Sequence, residues 1–475
     1  MKSTRQMEIT EMISDWLDCG QFQQAEKLLK TERLDGPLGL IHQAEIHTYF
    51  NRLHEAGELL DQIRPEEVVT RVAARYALAR GEWYYWRFEF EPAQEHFYMA
   101  EYAYRLIDDE YGLAKALCNL GRLKRRDAEF EAAQELLQRA LELLRDHKGK
   151  KKDFLKAFID FNLGVCAQQL GQLDRAADLY TSALVMLNKL EHGKNYGIAL
   201  TSYATLLRRR GKYEEALSAF NNAIEVLQGS AALESLAGAM NNLAWTLIRL
   251  NRFDEAEKLL GESHALFQQA GNSASISVVL TTYADLYLAQ KALTKAESFA
   301  VQAIEQADLS HNEFLKAEAM IVLGRIQIMR GDFYAAAKPL RGALEIGQKL
   351  NSRMLETAAL LYLAECELPT APIKAHERLT QVRERLEEYH DAQIEQELER
   401  IRQRGRGERL KIAPDNTLII NGNLLPDWYA AKEALETFLL KNALQQTGGN
   451  LTKAGKILGI SKVHVHDRKK KYRLS

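Results

Sequence analysis

The chain has 475 residues, too many for one ordinary core, and its 46% hydrophobic and 27% charged content is that of a water-soluble protein. No stretch near the N-terminus has the apolar core of a secretory signal and no run approaches membrane-spanning length, so a cytoplasmic protein without membrane contact is expected. The formal charge of −2 is unevenly placed: Lys432 to Ser475 holds ten Lys or Arg against Glu433, Glu436 and Asp467, leaving +7 there and −9 upstream. An acidic body with a basic tail points the tail at a polyanion.

Small residues recur through the first three quarters of the chain. Gly121, Gly164, Ala204, Ala244, Ala284, Gly324 and Ala364 are spaced by 43 and then five times by 40 residues. Twelve residues after the first six stand Ala133, Ala176, Ala216, Ala256, Ala296 and Ala336, and seven further on Ala140, Ala183, Ala223, Ser263, Ala303 and Ala343. The phase continues upstream through Gly81, Ala93 and Ala100, then Ala44 and Ala56, and fades near Ala25. Short side chains at fixed spacing let paired antiparallel helices approach closely, and Gly171, Gly211, Asn251 and Gly331 mark the turns between them. Cys19, Cys118, Cys166 and Cys366 lie far apart and read as free thiols, three of them within amphipathic helical patterns.

This pattern resembles the tetratricopeptide repeat in a longer, about 40-residue version, over roughly residues 10–370. The resemblance implies an α-solenoid that holds a peptide or protein segment in its concave groove. Two positions before each small marker lie Asn119, Asn162, Ser202, Asn242 and Thr282. Asparagine there either hydrogen-bonds a ligand backbone or caps a solvated helix face. Lys115, Arg122, Arg125, Arg126, Arg208, Arg209, Arg249 and Arg325 sit nearby; facing inward they select an acidic or C-terminal carboxylate ligand, facing outward they are solvated charge. In Trp83-Tyr84-Tyr85-Trp86 four successive aromatics cannot share one helix face, so Trp83 and Trp86 are either repeat filler or a contact for a partner.

Pro369 and Pro372 interrupt the repeat, so the solenoid is assigned to 1–372. One charged helix is expected from Ile373 to about Arg404. Its spaced Leu379, Val382, Leu386, Tyr389, Ile394, Leu398 and Ile401 make it a solenoid cap or a coiled-coil seam. Residues 405–426 read as a Gly405-Arg406-Gly407 hinge and a β-hairpin, Leu410-Lys411-Ile412 and Thr417 to Ile420 flanking a Pro414-Asp415-Asn416 turn before Asn421-Gly422.

The last unit, 427–475, starts with a helix from Asp427 to Gln446 whose stripe is Ala431, Leu435, Phe438, Leu439 and Leu444. Gly448-Gly449 ends it, Asn450 caps a second helix to Leu458, and Gly459 turns the chain into a third helix from Ser461. The block resembles the Fis-type helix-turn-helix found at the C-termini of NtrC-class regulators, through Leu435, Leu444, Thr447, Gly449, Asn450, Ala454, Leu458, Gly459, Ile460, Ser461, Lys470, Lys471 and Tyr472. That resemblance implies a homodimer formed by the first helix, with the last in the DNA major groove. Ser461, Lys462, Val463, His464, His466 and Arg468 would then face bases or nearby phosphates, and Lys453, Lys456, Lys469, Lys470 and Lys471 the backbone. Three departures stand against it: Asp467 in place of a basic residue, Lys469 in place of Leu, and Gly455 in place of Ala.

Neither a Walker-type phosphate loop, a nucleophile elbow nor HExxH occurs, and His464 and His466 are two apart; no enzyme, cofactor or metal is expected. The all-α reading is therefore a solenoid that senses a peptide or protein and governs a DNA-binding tail. The alternative is an adaptor whose tail dimerises or docks protein.

Overall fold

The computed structural model describes residues 2–472 except 33, 35, 128, 230–231, 271–272, 389–390, 406–409, 413–417 and 421–427. Ten helix pairs come first: α1 (Lys2–Asp18) with α2 (Phe22–Leu29), α3 (Pro37–Tyr49) with α4 (Leu53–Leu60), α5 (Thr70–Trp86) with α6 (Phe90–Leu106), α7 (Glu110–Arg126) with α8 (Phe130–Leu143), and α9 (Lys150–Gln169) with α10 (Leu173–Lys189). They continue as α11 (Gly193–Arg209) with α12 (Tyr213–Gln228), α13 (Leu233–Arg249) with α14 (Phe253–Ala270), α15 (Ser273–Ala289) with α16 (Leu293–Leu309), α17 (Glu313–Arg330) with α18 (Phe333–Lys349), and α19 (Arg353–Glu367) with α20 (Pro372–Glu388). Then follow α21 (Ala392–Gly405), strands β1 (Leu410–Ile412) and β2 (Leu418–Ile420), and α22 (Trp428–Gln446), α23 (Leu451–Leu458) and α24 (Lys462–Lys471).

The small markers lie on the first helix of their pairs, and the glycines among them receive the residue sixteen positions on, from the second helix. A Cβ on Gly81 would come 2.6 Å from Phe97, on Gly121 2.9 Å from Leu137, on Gly164 2.8 Å from Tyr180, and on Gly324 2.5 Å from Leu340. Phe97, Leu137, Tyr180 and Leu340 are all buried, so the glycine is what lets each pair close. The turns within the pairs use left-handed backbone at Gly171, Gly211, Asn251, Lys291 and Gly331, spaced by 40 residues. There the amide just after the left-handed residue folds back, as Lys212 N–H does onto the Leu207 carbonyl at 2.9 Å. Lys291 holds this conformation without glycine or asparagine (φ 61).

The solenoid curls until its first helices meet its middle. The Lys194 ammonium donates to the Tyr49 carbonyl at 2.8 Å, and the Tyr111 hydroxyl to that of Asp18 at 3.0 Å. Phe22 stacks on Tyr49 at 4.0 Å and meets His192 edge-on at 6.4 Å. Gly20 (φ +78) is wedged so tightly there that a Cβ would come 2.5 Å from both His192 and Phe154. Asp18 lies between Lys115 at 3.0 Å and Arg75 at 3.5 Å; burial alone would raise its carboxyl, but these two cations hold it below its usual range.

The expected single helix from Ile373 to Arg404 is instead two, α20 and α21. Asp391 accepts from the Gln393 and Ile394 amides at 3.0 and 3.1 Å, and this cap starts a new helix rather than continuing the old one. Leu379, Val382, Leu386, Ile394, Leu398 and Ile401 are buried in one cluster with α19, so the stripe faces the solenoid and not a second seam. Tyr389 lies outside the described residues. β1 and β2 pair antiparallel with Leu410 opposite Ile420; the expected Pro414-Asp415-Asn416 turn, Asn421-Gly422 and hinge residues Arg406 and Gly407 lie outside the described residues.

Replacing Gly324 by Leu should lower the stability of the C-terminal repeats by about 1–3 kcal/mol through overpacking against Leu340, read as an earlier urea transition. An unchanged transition would contradict the close-approach account.

Candidate functional site

The curl encloses a cavity of about 1490 Å³ on the concave face, larger than the roughly 300–1,000 Å³ of a small-molecule site. Its wall comes mostly from first helices. Asn119, Asn162, Ser202 and Asn242 line it, together with Arg122, Arg125, Arg126 and Trp86. Repeat phase thus brings the asparagines of α7, α9 and α13 together. Thr282, at the same phase on α15, does not reach it.

The aromatics divide. Tyr85 and Trp86 line the cavity with Phe88, Phe90, Phe154, Phe158 and Phe161. Trp83 does not, correcting its place among the groove residues: it is only 7% exposed, its indole N–H donates to the Leu53 carbonyl at 2.6 Å, and Arg80 and Arg87 stack on it. Arg209 and Arg249 are also corrected. Arg209 donates to the Gln168 carbonyl at 3.0 Å and faces Asp391 at 3.8 Å, while Arg249 lies against Trp245. The aromatic ring and the backbone carbonyl hold these guanidinium groups away from the concavity.

Arg122 is buried in the wall, bonded to Glu82 at 2.8 Å and Asn119 at 2.7 Å and stacked on Tyr85 at 4.2 Å. Arg126 lies 3.4 Å over Phe90 and pairs with Asp127. Asn162 is 1% exposed; its amide N–H donates to the Phe158 carbonyl at 2.7 Å while its carbonyl oxygen has no partner. Lys194, Tyr49, Phe22 and Phe154 were not foreseen, because they enter the wall only when segments more than 100 residues apart meet.

In the last unit Asn450 Oδ1 accepts from the Thr452 and Lys453 amides at 3.1 Å, Gly459 is left-handed, and Ser461 caps α24 through the His464 amide at 3.2 Å. Lys453, Lys456, Ser461, Lys462, Val463, His464, His466, Lys470 and Lys471 are exposed, and Arg468 and Lys469 half-exposed. His464 is turned back on Ser461, its Nδ1 3.0 Å from that hydroxyl. Arg468 lies 3.6 Å from Glu436, which also accepts the Tyr472 hydroxyl at 2.6 Å. That hydroxyl, more than the nearby cations, holds the Glu436 carboxyl below its usual range. The anchor missing at Lys469 is supplied by buried Val465, which packs with Leu440, Ala443, Leu444, Ala454 and Tyr472. Of the expected stripe on α22 only Leu444 is in that core. Leu435 and Phe438 are half-buried and Leu439 is 42% exposed; the Ala431 side chain is outside the described residues. Gly455 is less a defect than expected: a Cβ there would lie 2.6 Å from the Ile460 carbonyl oxygen, across the turn.

The fold and these two sites define a tetratricopeptide solenoid carrying a helix-turn-helix. Residues 114–147 and 155–308 match tetratricopeptide repeat families, and 433–472 match the bacterial regulatory protein family of Fis type. A curated relative, the tetratricopeptide repeat protein 19 homolog, mitochondrial, of Drosophila melanogaster, is 20% identical over 271 residues, covering 52% of this chain and 72% of its own. The apo quorum sensor NprR from B. thuringiensis superposes with TM-score 0.51 at 15% identity, over 73% of this chain and 99% of its own. A Rap protein complexed with competence and sporulation factor gives 0.50 at 14%, over 71% and 99%. At this identity the structures establish the shared superhelical fold. Among the described residues no helix is long and apolar enough to cross a membrane, and no group of acidic, His and Cys side chains could hold a metal.

Burial pushes the Lys194 ammonium down to about 8 from the ordinary 10.5, against the raising influence of Glu82 and Glu234. Between those values the folded chain binds fewer protons there than the unfolded one, so this group's contribution to stability rises with pH across the window and is unfavourable below it. The wild-type urea midpoint should therefore climb more from pH 8 to pH 10 than that of Lys194→Met. Parallel climbs would contradict this placement of the ammonium.

Proposed function

We propose that this protein is a bacterial DNA-binding transcription regulator in which a peptide or protein segment, held in the concavity, controls the C-terminal helix-turn-helix. One observation carries the reading: the same chain joins an asparagine- and aromatic-lined cavity to a capped α24 that bears Lys462, Lys470 and Lys471 on its exposed surface. The Rap solenoid of similar fold was solved with competence and sporulation factor, which supports taking the concavity as a ligand site.

In the reading, phosphates are met by Lys453, Lys456, Lys469, Lys470 and Lys471, and bases by Lys462, Val463, His464, His466 and Arg468, with Ser461 positioning the helix. Leu435, Phe438 and Leu439, left partly uncovered on α22, supply the face for a second copy, and a homodimer would set two recognition helices about 34 Å apart. A route for control runs along α11. Its Asn195, Ile198 and Ser202 line the cavity, while at its far end Arg209 faces Asp391 and a Cβ on Gly211 would come 3.4 Å from Ala392, the start of the last solenoid helix before the tail. The adaptor reading keeps one support, Glu436 lying 3.6 Å from Arg468 and drawing that cation back toward its own domain.

The full chain should retard mixed-sequence duplex DNA at low salt, with an affinity that falls steeply as salt rises, by a slope of about −0.9 per phosphate contact. Lys470→Glu with Lys471→Glu should abolish retardation without loss of helical circular dichroism. Retardation equal to wild type would remove these residues from the interface, and none by wild type on any duplex would favour the adaptor.

A further inference from the structure

We infer that α21 is a detachable latch: while it lies on the last repeats, the helix-turn-helix is held close to an acidic body and away from DNA. The inference rests on the DNA-binding reading above and specifies how the tail is restrained.

A helix that merely ends a solenoid has to touch only the last pair. α21 does more. Its cap, Asp391, lies 3.8 Å from the Arg209 guanidinium at the end of α11, four pairs back along the superhelix. Beside it Ala392 is 3.4 Å from where a Cβ on Gly211 would stand. Along its length α21 meets the phase that carries cavity residues in earlier repeats. Glu365, one position after the marker Ala364 as Arg122 follows Gly121, accepts two parallel bonds from Arg400 at 2.9 and 2.7 Å. Arg325, at the same phase on α17, and Tyr362 on α19 feel the charge of Glu397.

The hold is local. Among the described residues of α21 only Ile394, Leu398 and Ile401 are buried, whereas α12, inside the stack, buries seven. Glu395, Gln396, Glu399 and Gln403 on its other faces are exposed. A short helix held by three aliphatic side chains and ion pairs opens more readily than the stack beneath it. Its polar tie is Arg400, since Glu365 is 2% exposed and a carboxylate so buried is costly without its guanidinium.

Charge gives the latch its effect. The chain upstream of Lys432 carries −9 and the tail +7, so the body repels the phosphates that the tail attracts. β1 touches α22, and four residues separate Gly405 from Leu410, a leash of at most about 18 Å. Docked α21 thus keeps the basic unit near the solenoid. Released, its 14 residues add about 21 Å of helix, more than two Debye lengths at physiological salt.

Gly211→Cys with Ala392→Cys gives a reversible lock. The Cβ atoms would stand close to the roughly 3.5–4.5 Å of a disulfide, and Asn251 and Lys291 hold the same left-handed backbone in the next two repeats. In the reduced full chain, hydrogen exchange of α21 should run at least about tenfold faster than that of α19, and oxidation should slow it to the rate of α19. Oxidation should also weaken retardation of duplex DNA at low salt by at least about fivefold, reversed by dithiothreitol, with Ala392→Cys alone unaffected. Arg400→Gln should bind DNA more tightly than wild type, at unchanged circular dichroism, the advantage shrinking as salt rises. Equal exchange of α21 and α19 in the reduced chain overturns the inference, because α21 would then be part of the stack. DNA affinity that neither oxidation nor Arg400→Gln alters also overturns it, while the DNA-binding reading stands. Retardation by no form of the chain overturns both.

Discussion

The functional architecture depends on a contact between the start of the chain and its middle. A tetratricopeptide stack is held only by neighbour-to-neighbour packing, so its curvature is ordinarily set one repeat at a time. Here Gly20, Phe22 and Tyr49 close on Phe154, His192 and Lys194, and the first six repeats become a ring around a cavity. The closure is tight because Gly20 has no side chain: any Cβ would meet two aromatic rings at 2.5 Å. It is also polar at its centre, since buried Asp18 gathers Lys115 and Arg75, and losing one member of such a group leaves a buried charge without its partner.

That contact makes α11 the element on which the parts of the molecule converge. Its first turn is gripped by the N-terminal helices through His192 and Lys194, its middle faces the cavity, and at its last turn Arg209 faces Asp391, the cap of α21, at 3.8 Å. A helix of 17 residues is about 25 Å long and stiff, so a shift imposed at one end reaches the other. α11 therefore runs from the cavity wall to α21, which makes it the element through which the proposed control would pass.

Much of this was legible in the sequence where the determinants are local. The 40-residue spacing of Gly121, Gly164, Ala204 and their successors encodes helix pairing directly, because at Gly121, Gly164 and Gly324 the side chain sixteen residues on leaves no room for a Cβ. Repeat phase also placed Asn119, Asn162 and Asn242 in the cavity, and the caps Asn450, Gly459 and Ser461 stand where local hydrogen bonding requires them. Tertiary packing was not legible. Trp83 and Trp86 look alike in sequence, yet the Leu53 carbonyl takes one and the cavity the other; Arg209 and Arg249 share the phase of groove residues but are held by a carbonyl and an indole. Asp391 reads as one more charge in a polar helix until its cap bonds are seen, and Lys194 acquires its role only from a residue 145 positions earlier.

Amide hydrogen exchange across α11 tests the account most directly. In a chain lacking residues 2–32 the first half of α11, Gly193 to Leu200, should exchange faster by orders of magnitude, while α15 and α17, remote from the closure, keep their protection. Unchanged protection at Gly193 to Leu200 would mean that the N-terminal helices do not hold the ring shut, and the cavity with its proposed ligand would lose its structural basis.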